Sequence, residues 1–153
     1  MQRIYKLKRE QVVKTDITTA WNFIRSPKNL EALTPKDLSF EIVTKVPERI
    51  YNGLLIELRV GVPIFGKQTW LTEIKYVREK HSFVDEQRSG PYKLWLHYHE
   101  VQEVEKGVRF IDQVHYMLPF GFLGTLAHKL FVRKMLGKVF AYREAKLSKL
   151  LER

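Results

Sequence analysis

The stretch Thr125-Leu-Ala-His-Lys-Leu-Phe-Val-Arg-Lys-Met-Leu-Gly-Lys-Val-Phe-Ala-Tyr-Arg-Glu-Ala-Lys-Leu-Ser-Lys-Leu-Leu151 decides the fold. Leu126, Leu130, Phe140, Leu147 and Leu151 recur in it at helical spacing. The pattern predicts one helix from beyond Gly124 to the C-terminus, about 28 residues or ~42 Å long. A lone helix of that length must lay its apolar stripe against a large surface. The seven basic residues Lys129, Arg133, Lys134, Lys138, Arg143, Lys146 and Lys149 scatter around the axis. Arg133 falls near the stripe, where it reaches an anionic head group or Asp112. The plainer alternative is a stem that covers core while its head stays wet.

Working back toward the N-terminus, the surface is a sheet. Residues 108–117, 93–103, 82–89, 68–77, 54–62 and 38–46 read as strands, rich in apolar and β-branched residues. Lys106-Gly107, Gly90-Pro91 and Asn52-Gly53 mark turns between them. Trp70, Ile74 and Tyr76 are expected on one face of their strand. Ile4 to Val13 alternates, with Tyr5, Leu7, Arg9 and Gln11 on one side, and reads as a further strand. Asp16 or Thr18 then caps a short helix through Ala20, Trp21, Phe23 and Ile24, stopped at Ser26-Pro27. Asn29 to Leu33 forms a second short helical turn, closed by Thr34-Pro35. Strand, two short helices, six strands and one long helix is an α+β order. Short connections predict consecutive antiparallel pairing. Seven twisted strands curl around the helix and leave a hollow.

Composition narrows the function classes. The chain has 153 residues, 44% hydrophobic and 29% charged, and reads as one soluble domain over 1–153. It has no cysteine, which removes disulfides, thiolate zinc sites and cysteine nucleophiles, and fits a cytoplasmic setting. The first residues, Met1-Gln-Arg-Ile-Tyr-Lys, lack the apolar run of a signal peptide. The most apolar stretch, 116–127, contains Pro119 and falls short of the ~18 residues of a membrane span. The net charge of +10 attracts anions. The basic residues are spread from Arg3 to Arg153, so a solvated basic surface accounts for most of it.

Several phrases resemble a known superfamily. Trp21-Asn-Phe-Ile-Arg-Ser-Pro-Lys-Asn-Leu, Leu33-Thr-Pro, Trp70-Leu-Thr-Glu-Ile, Phe83-Val-Asp-Glu-Gln-Arg-Ser-Gly-Pro-Tyr, Trp95-Leu-His-Tyr-His and Leu118-Pro-Phe-Gly carry the likeness. With the element order, they resemble the START-like, or helix-grip, superfamily (SRPBCC). The nearest phrases are those of its bacterial cyclase/dehydrase-like branch, sometimes labelled cell-division-inhibitor-like. The resemblance implies a helix-grip fold, with the curved sheet gripping the C-terminal helix around a cavity for a hydrophobic or amphipathic molecule. It implies no settled activity.

The candidate site lies on the central hairpins. Alternation puts Phe83, Asp85 and Gln87 on one face, Trp95, His97 and His99 on one face of the next strand, and Phe110, Asp112, Val114 and Tyr116 on one face of the one after. If all three faces meet the helix, these residues with Trp70 and Arg133 line a mostly apolar pocket with a few polar groups. A register slip of one residue would turn every one of them outward. A buried Asp85–His97 pair would also satisfy both groups without chemistry. The same residues set out the acid–base alternative, in which His97 or His99 works with Asp85 or Asp112 as a cofactor-free cyclase or dehydratase. His97-Leu-His99 with Asp85, Asp112 or Glu73 has metal-ligand character, but the spacing is common by chance, and neither metal nor cofactor is expected. No nucleophile motif or phosphate loop occurs.

Three functions therefore compete. The first is carriage of a hydrophobic or amphipathic small molecule, the second is acid–base catalysis, and the third is a basic module contacting an anionic membrane or a partner. Nucleic acid is not expected, because the aromatics alternate in register with core residues. The segment Leu118-Pro-Phe-Gly-Phe-Leu-Gly124 reads as a buried joint anchoring the helix, with a lid or membrane-touching tip as alternatives.

Overall fold

The computed structural model describes residues 3–62 and 65–152. The elements run β1 (Tyr5–Val13), α1 (Ile17–Ile24), α2 (Asn29–Ala32), a 3₁₀ turn (Lys36–Leu38), β2 (Glu41–Ile42), β3 (Leu55–Val62), β4 (Gly66–Arg78), β5 (Ser82–Ser89), β6 (Leu94–Val104) and β7 (Gly107–Met117). A continuous C-terminal helix follows as α3 (Gly121–Ala127), a π turn (His128–Val132) and α4 (Arg133–Leu151). The strands form one seven-stranded antiparallel sheet in the order β1-β7-β6-β5-β4-β3-β2. This is the helix-grip architecture, with the curved sheet around a 31-residue C-terminal helix and two short helices between β1 and β2. No helix of the described residues is long and apolar enough to cross a membrane.

Local chemistry sets the element ends. Asp16 caps α1, its Oδ1 accepting from the Thr19 backbone N–H at 2.8 Å. Ala20 and Trp21 on that helix are fully buried, and Trp21 meets Phe83 edge-on at 6.2 Å. Gln11 ties β1 to the final helix, donating to the Glu144 carbonyl at 2.7 Å and to Ser148 Oγ at 2.9 Å. In the β6–β7 turn, Gly107 has φ +134°, and a Cβ there would stand 2.2 Å from the Val13 carbonyl oxygen.

The structure corrects four expectations about the elements and their faces. The strand expected over 38–46 shrinks to Glu41–Ile42, because Leu38 ends a 3₁₀ turn and Ser39 sits in the left-handed region at φ +47°. Tyr76 does not share the face of Trp70 and Ile74. A bulge between Lys75 and Arg78 places it at φ +53° and turns it into solvent, while Val77 packs on the core instead.

The other two concern the helix. Leu126 and Leu130 are exposed, and the buried line runs through Gly124, His128, Leu136, Phe140, Arg143, Leu147 and Leu151. The π turn explains the shift. It absorbs one extra residue, so the path from Gly124 to Leu136 makes about three full turns and returns to the same face. The segment expected as a buried joint is open, since Phe120, Phe122 and Leu123 all face solvent. It forms a lip, starting at Phe120 and Gly121, both with positive φ.

The buried apolar residues fall into two clusters. One holds Val13, Trp21, Ile56, Phe83, Val101 and Leu147 among others, and the second holds Trp95, Val114, Tyr116, Leu136 and Phe140. Along β6, β7 and α4 the residues between them are polar: His97 and His99, Asp112, and Arg143.

Candidate functional site

Register builds the site. Asp85 on β5 pairs with His97 on β6, and His99 pairs with Asp112 on β7, so all four side chains share the concave face. The shortest contacts run diagonally. His97 Nε2 meets Asp112 Oδ1 at 2.8 Å, and His99 Nε2 meets Asp85 Oδ2 in the tightest contact of the group. The second nitrogens complete a ring, His97 Nδ1 to Asp85 Oδ2 at 3.5 Å and His99 Nδ1 to Asp112 Oδ1 at 3.2 Å. The two imidazoles stack with centroids 3.7 Å apart, and Phe83 stacks on His99 at 4.3 Å. From the helix, Arg143 Nε donates to Asp112 Oδ2 at 3.1 Å, with Nη2 3.5 Å from His99 Nδ1.

Charge decides the protonation of this cluster. Burial pushes the Asp112 carboxyl up, but the Arg143 charge and the His97 and His99 hydrogen bonds hold it well below the usual range. Burial also opposes ionisation of Asp85, which His97, His99 and Arg143 still hold low. His99 is pushed down by burial and raised overall by its hydrogen bonds to Asp112 and Asp85. His97 is lowered by burial and by the neighbouring charge of His99. The two stacked imidazoles are thus shifted in opposite directions, the charged form being favoured on His99 and disfavoured on His97.

A cavity of about 840 Å³ lies between sheet and helix. Its walls are apolar, with Ile56, Leu58, Trp70, Ile74, Trp95 and Phe140 among them. Asp85, His97, His99 and Arg143 supply a charged patch in that lining. Trp70, Trp95 and Tyr92 form an aromatic group within it, with centroids 4.8–5.5 Å apart. Burial raises the Tyr92 hydroxyl pKa, with Tyr116 adding to it.

Of the residues read from sequence, Trp70, Phe83, Asp85, Trp95, His97 and His99 line this cavity. Asp112 stands behind the histidines and out of the lining. Gln87 is not in the lining either. Its amide clamps the β5–β6 loop, donating to the Tyr92 carbonyl at 2.6 Å and accepting from the Tyr92 N–H at 3.1 Å. Tyr116 is buried beside the cavity and its hydroxyl meets His128 Nε2 at 2.8 Å. Glu73 faces Arg88 and Lys75 at 3.4 and 3.8 Å, away from the histidines.

Arg133 is exposed and does not reach the cavity, and Arg143 occupies the place expected for it. The signal for Arg143 was in the sequence. It lies three residues after Phe140 and four before Leu147, squarely on the stripe. Tyr92 also escaped the sequence reading, because Gly90-Pro91 marked its neighbourhood only as a turn.

Asp85, His97 and His99 bring ligand-type atoms within 4.8 Å of one another. The triad has the donor set of a metal site, and Asp112 would orient both imidazoles from behind. The fixed charge of Arg143 against Asp112 and His99 opposes a cation there, and the internal hydrogen bonds already satisfy the group.

The class these features define is a helix-grip protein with a cavity between sheet and helix. Solved structures share the fold across nearly the whole chain. Protein CV1439 from Chromobacterium violaceum superposes with a TM-score of 0.73 at 10% identity, covering 97% of this chain and 99% of that one. TTHA0849 from Thermus thermophilus gives 0.67 at 18% identity, with 95% of each chain covered. Ginseng major latex-like protein 151 from Panax ginseng gives 0.70 at 11% identity, covering 98% and 99%. No family model and no curated protein matches the sequence.

Proposed function

We propose that the protein binds an amphipathic small molecule, its apolar body in the cavity and a polar group against His97, His99, Asp85 and Arg143. One observation carries this reading: an apolar-walled cavity of about 840 Å³ with a single buried charged patch in its lining. Ligand pockets commonly span ~300–1,000 Å³, with mostly apolar walls and a few polar groups that fix orientation. The patch sets charged groups of both signs into the apolar wall, which suits a hydroxyl, carbonyl or carboxyl group better than a bare alkyl end.

Native mass spectrometry of the purified protein, followed by organic extraction, tests the reading. A co-purifying or exchangeable amphipathic molecule is expected. Narrowing the cavity by Ile56→Trp should weaken uptake of a fluorescent fatty-acid probe while the circular dichroism spectrum holds. A cavity that takes up no apolar probe under any condition sinks the proposal.

A second reading has its own support. His97 and His99 both line the cavity, and their pKa values are shifted in opposite directions, His97 down and His99 up. That pairing suits proton transfer on a bound carbonyl compound, as in enolisation, cyclisation or dehydration. His97→Gln should then abolish turnover of a polyketone while leaving its binding intact, and unchanged turnover would remove the histidine from the chemistry.

A further inference from the structure

The most exposed apolar side chains of the C-terminal helix gather at its N-terminal lip. Phe120, Phe122 and Leu123 are 71%, 79% and 64% exposed, with Leu126 and Leu130 also open. Four-residue steps set Phe122, Leu126 and Leu130 along one outward stripe. Phe65, on the β3–β4 connection, is 64% exposed and, with Phe120 and Leu123, also lines the cavity. These three side chains therefore rim an opening. An apolar rim of this kind marks a surface that meets something other than water.

The charges around the lip select the partner. Segments 58–72 and 113–143 contain no aspartate or glutamate, and exposed Lys67, Lys129, Arg133 and Lys134 stand among the apolar residues. A second copy of the chain would set basic residues against basic residues, since a two-fold contact joins like patches. A dry protein interface also disfavours lysine at its centre. An anionic bilayer accepts both features: apolar tips enter the acyl boundary by ~5–10 Å while ammonium and guanidinium groups stay at the phosphates.

We propose that this lip docks on anionic membrane surfaces, with α3, the π turn and Phe65 as the contact and the cavity opening facing the bilayer. Docking stands on the exposed lip and its charge. The corollary that a ligand passes directly between bilayer and cavity rests on the reading given above.

Flotation of the full chain with phosphatidylcholine vesicles, with and without phosphatidylglycerol, tests it. Binding should be about tenfold or more stronger with the anionic lipid and weaken as salt rises. The triple change Lys129→Glu, Arg133→Glu and Lys134→Glu should remove the difference between the two lipids. Phe122→Ser with Leu130→Ser should lower binding to both, while uptake of the fluorescent fatty-acid probe from solution is unchanged. Probe uptake separates failure of docking from failure of the cavity reading. The proposal is overturned if the wild-type chain does not float with phosphatidylglycerol vesicles. It is equally overturned if the serine variant floats normally, or only changes from a dimer to a monomer in light scattering.

Discussion

The two halves of the C-terminal helix break the usual burial rule in opposite directions. In α4 a charged residue, Arg143, faces inward and is 7% exposed. In α3 apolar residues face outward, with Phe122 79% exposed. The contrast teaches that hydrophobicity alone does not choose the buried face. Arg143 is inside because two strands bring Asp112 and His99 to meet it. Phe122 is outside because the π turn rotates α3 so that Gly124 and His128 contact the sheet side instead. Partners set one half and helix phase sets the other.

The largest expected effect breaks the first half. Arg143→Met keeps the stem and deletes the charge, leaving Asp112 buried with only the histidines to balance it. Removing one partner of a buried ion pair costs about 3–5 kcal/mol. Urea unfolding should show a lowered midpoint with an unchanged slope. Arg143→Lys should recover only part of the loss, since an ammonium cannot match the spread of Nε and Nη2. A loss under about 1 kcal/mol for Arg143→Met would mean that water already screens the cluster, as at a surface ion pair.

The second prediction acts on helix phase. Deleting Lys129 should convert the π turn to regular helix and rotate α3 by about 100° relative to α4. His128 would then lose its hydrogen bond to Tyr116 and its stacking on Tyr5, where the rings now lie 3.5 Å apart. The expected cost is about 1–2 kcal/mol in thermal or urea unfolding. The same deletion should reduce vesicle binding, because Phe122 and Leu126 rotate out of line with Leu130 and break the outward stripe. Unchanged stability and vesicle binding would show that the turn does not control the face.

A smaller effect separates the two histidines. The pKa of His99 is raised in the folded state, so its stabilising contribution is complete below its unfolded value, about 6.5, and fades as pH rises through the folded value. His97 is shifted down, so its contribution is complete above about 6.5 and is lost as pH falls through its folded value. His99→Gln should therefore cost most on the acid side and less as pH rises. His97→Gln should cost least on the acid side. Urea midpoints of both variants across the neutral range check the signs. Parallel curves for the two would mean that the stacked imidazoles are not shifted in opposite directions.

Much of this was legible in the sequence, for identifiable reasons. Period-two alternation on β6 and β7 put Trp95, His97 and His99, and Phe110, Asp112, Val114 and Tyr116, on common faces, and the observed register keeps them there. Long regular strands leave little room for slippage when one face is buried. Tyr76 failed because one bulge resets the alternation, and nothing in the residues 75–78 announces it. Leu126 and Leu130 failed because a period of 3.6 assumes an unbroken α-helix, which the π turn interrupts. The same interruption misplaces Arg133: a phase counted from Leu126 and Leu130 selects it, whereas a phase counted from Phe140 and Leu147 selects Arg143. Asp112 and Gln87 lie on the expected faces, but a face alone does not say whether a residue lines a cavity or stands behind one.

The smallest expected effect concerns stability at the lip. Phe122→Ser removes an aromatic ring from a helix, a change that costs about 3–5 kcal/mol when the ring is buried, as for Phe140→Ala. Phe122 is already in water in the folded protein, so the transfer term that makes the core change costly is nearly absent. The stability measured by urea unfolding should change by no more than about 0.5 kcal/mol, the usual range for exposed positions. Phe140→Ala, on the same helix but between the stacked histidines and Leu136, should show the full loss. If Phe122→Ser destabilised as strongly as Phe140→Ala, the lip would be packed in solution, and the outward half of the helix would follow the same rule as the inward half.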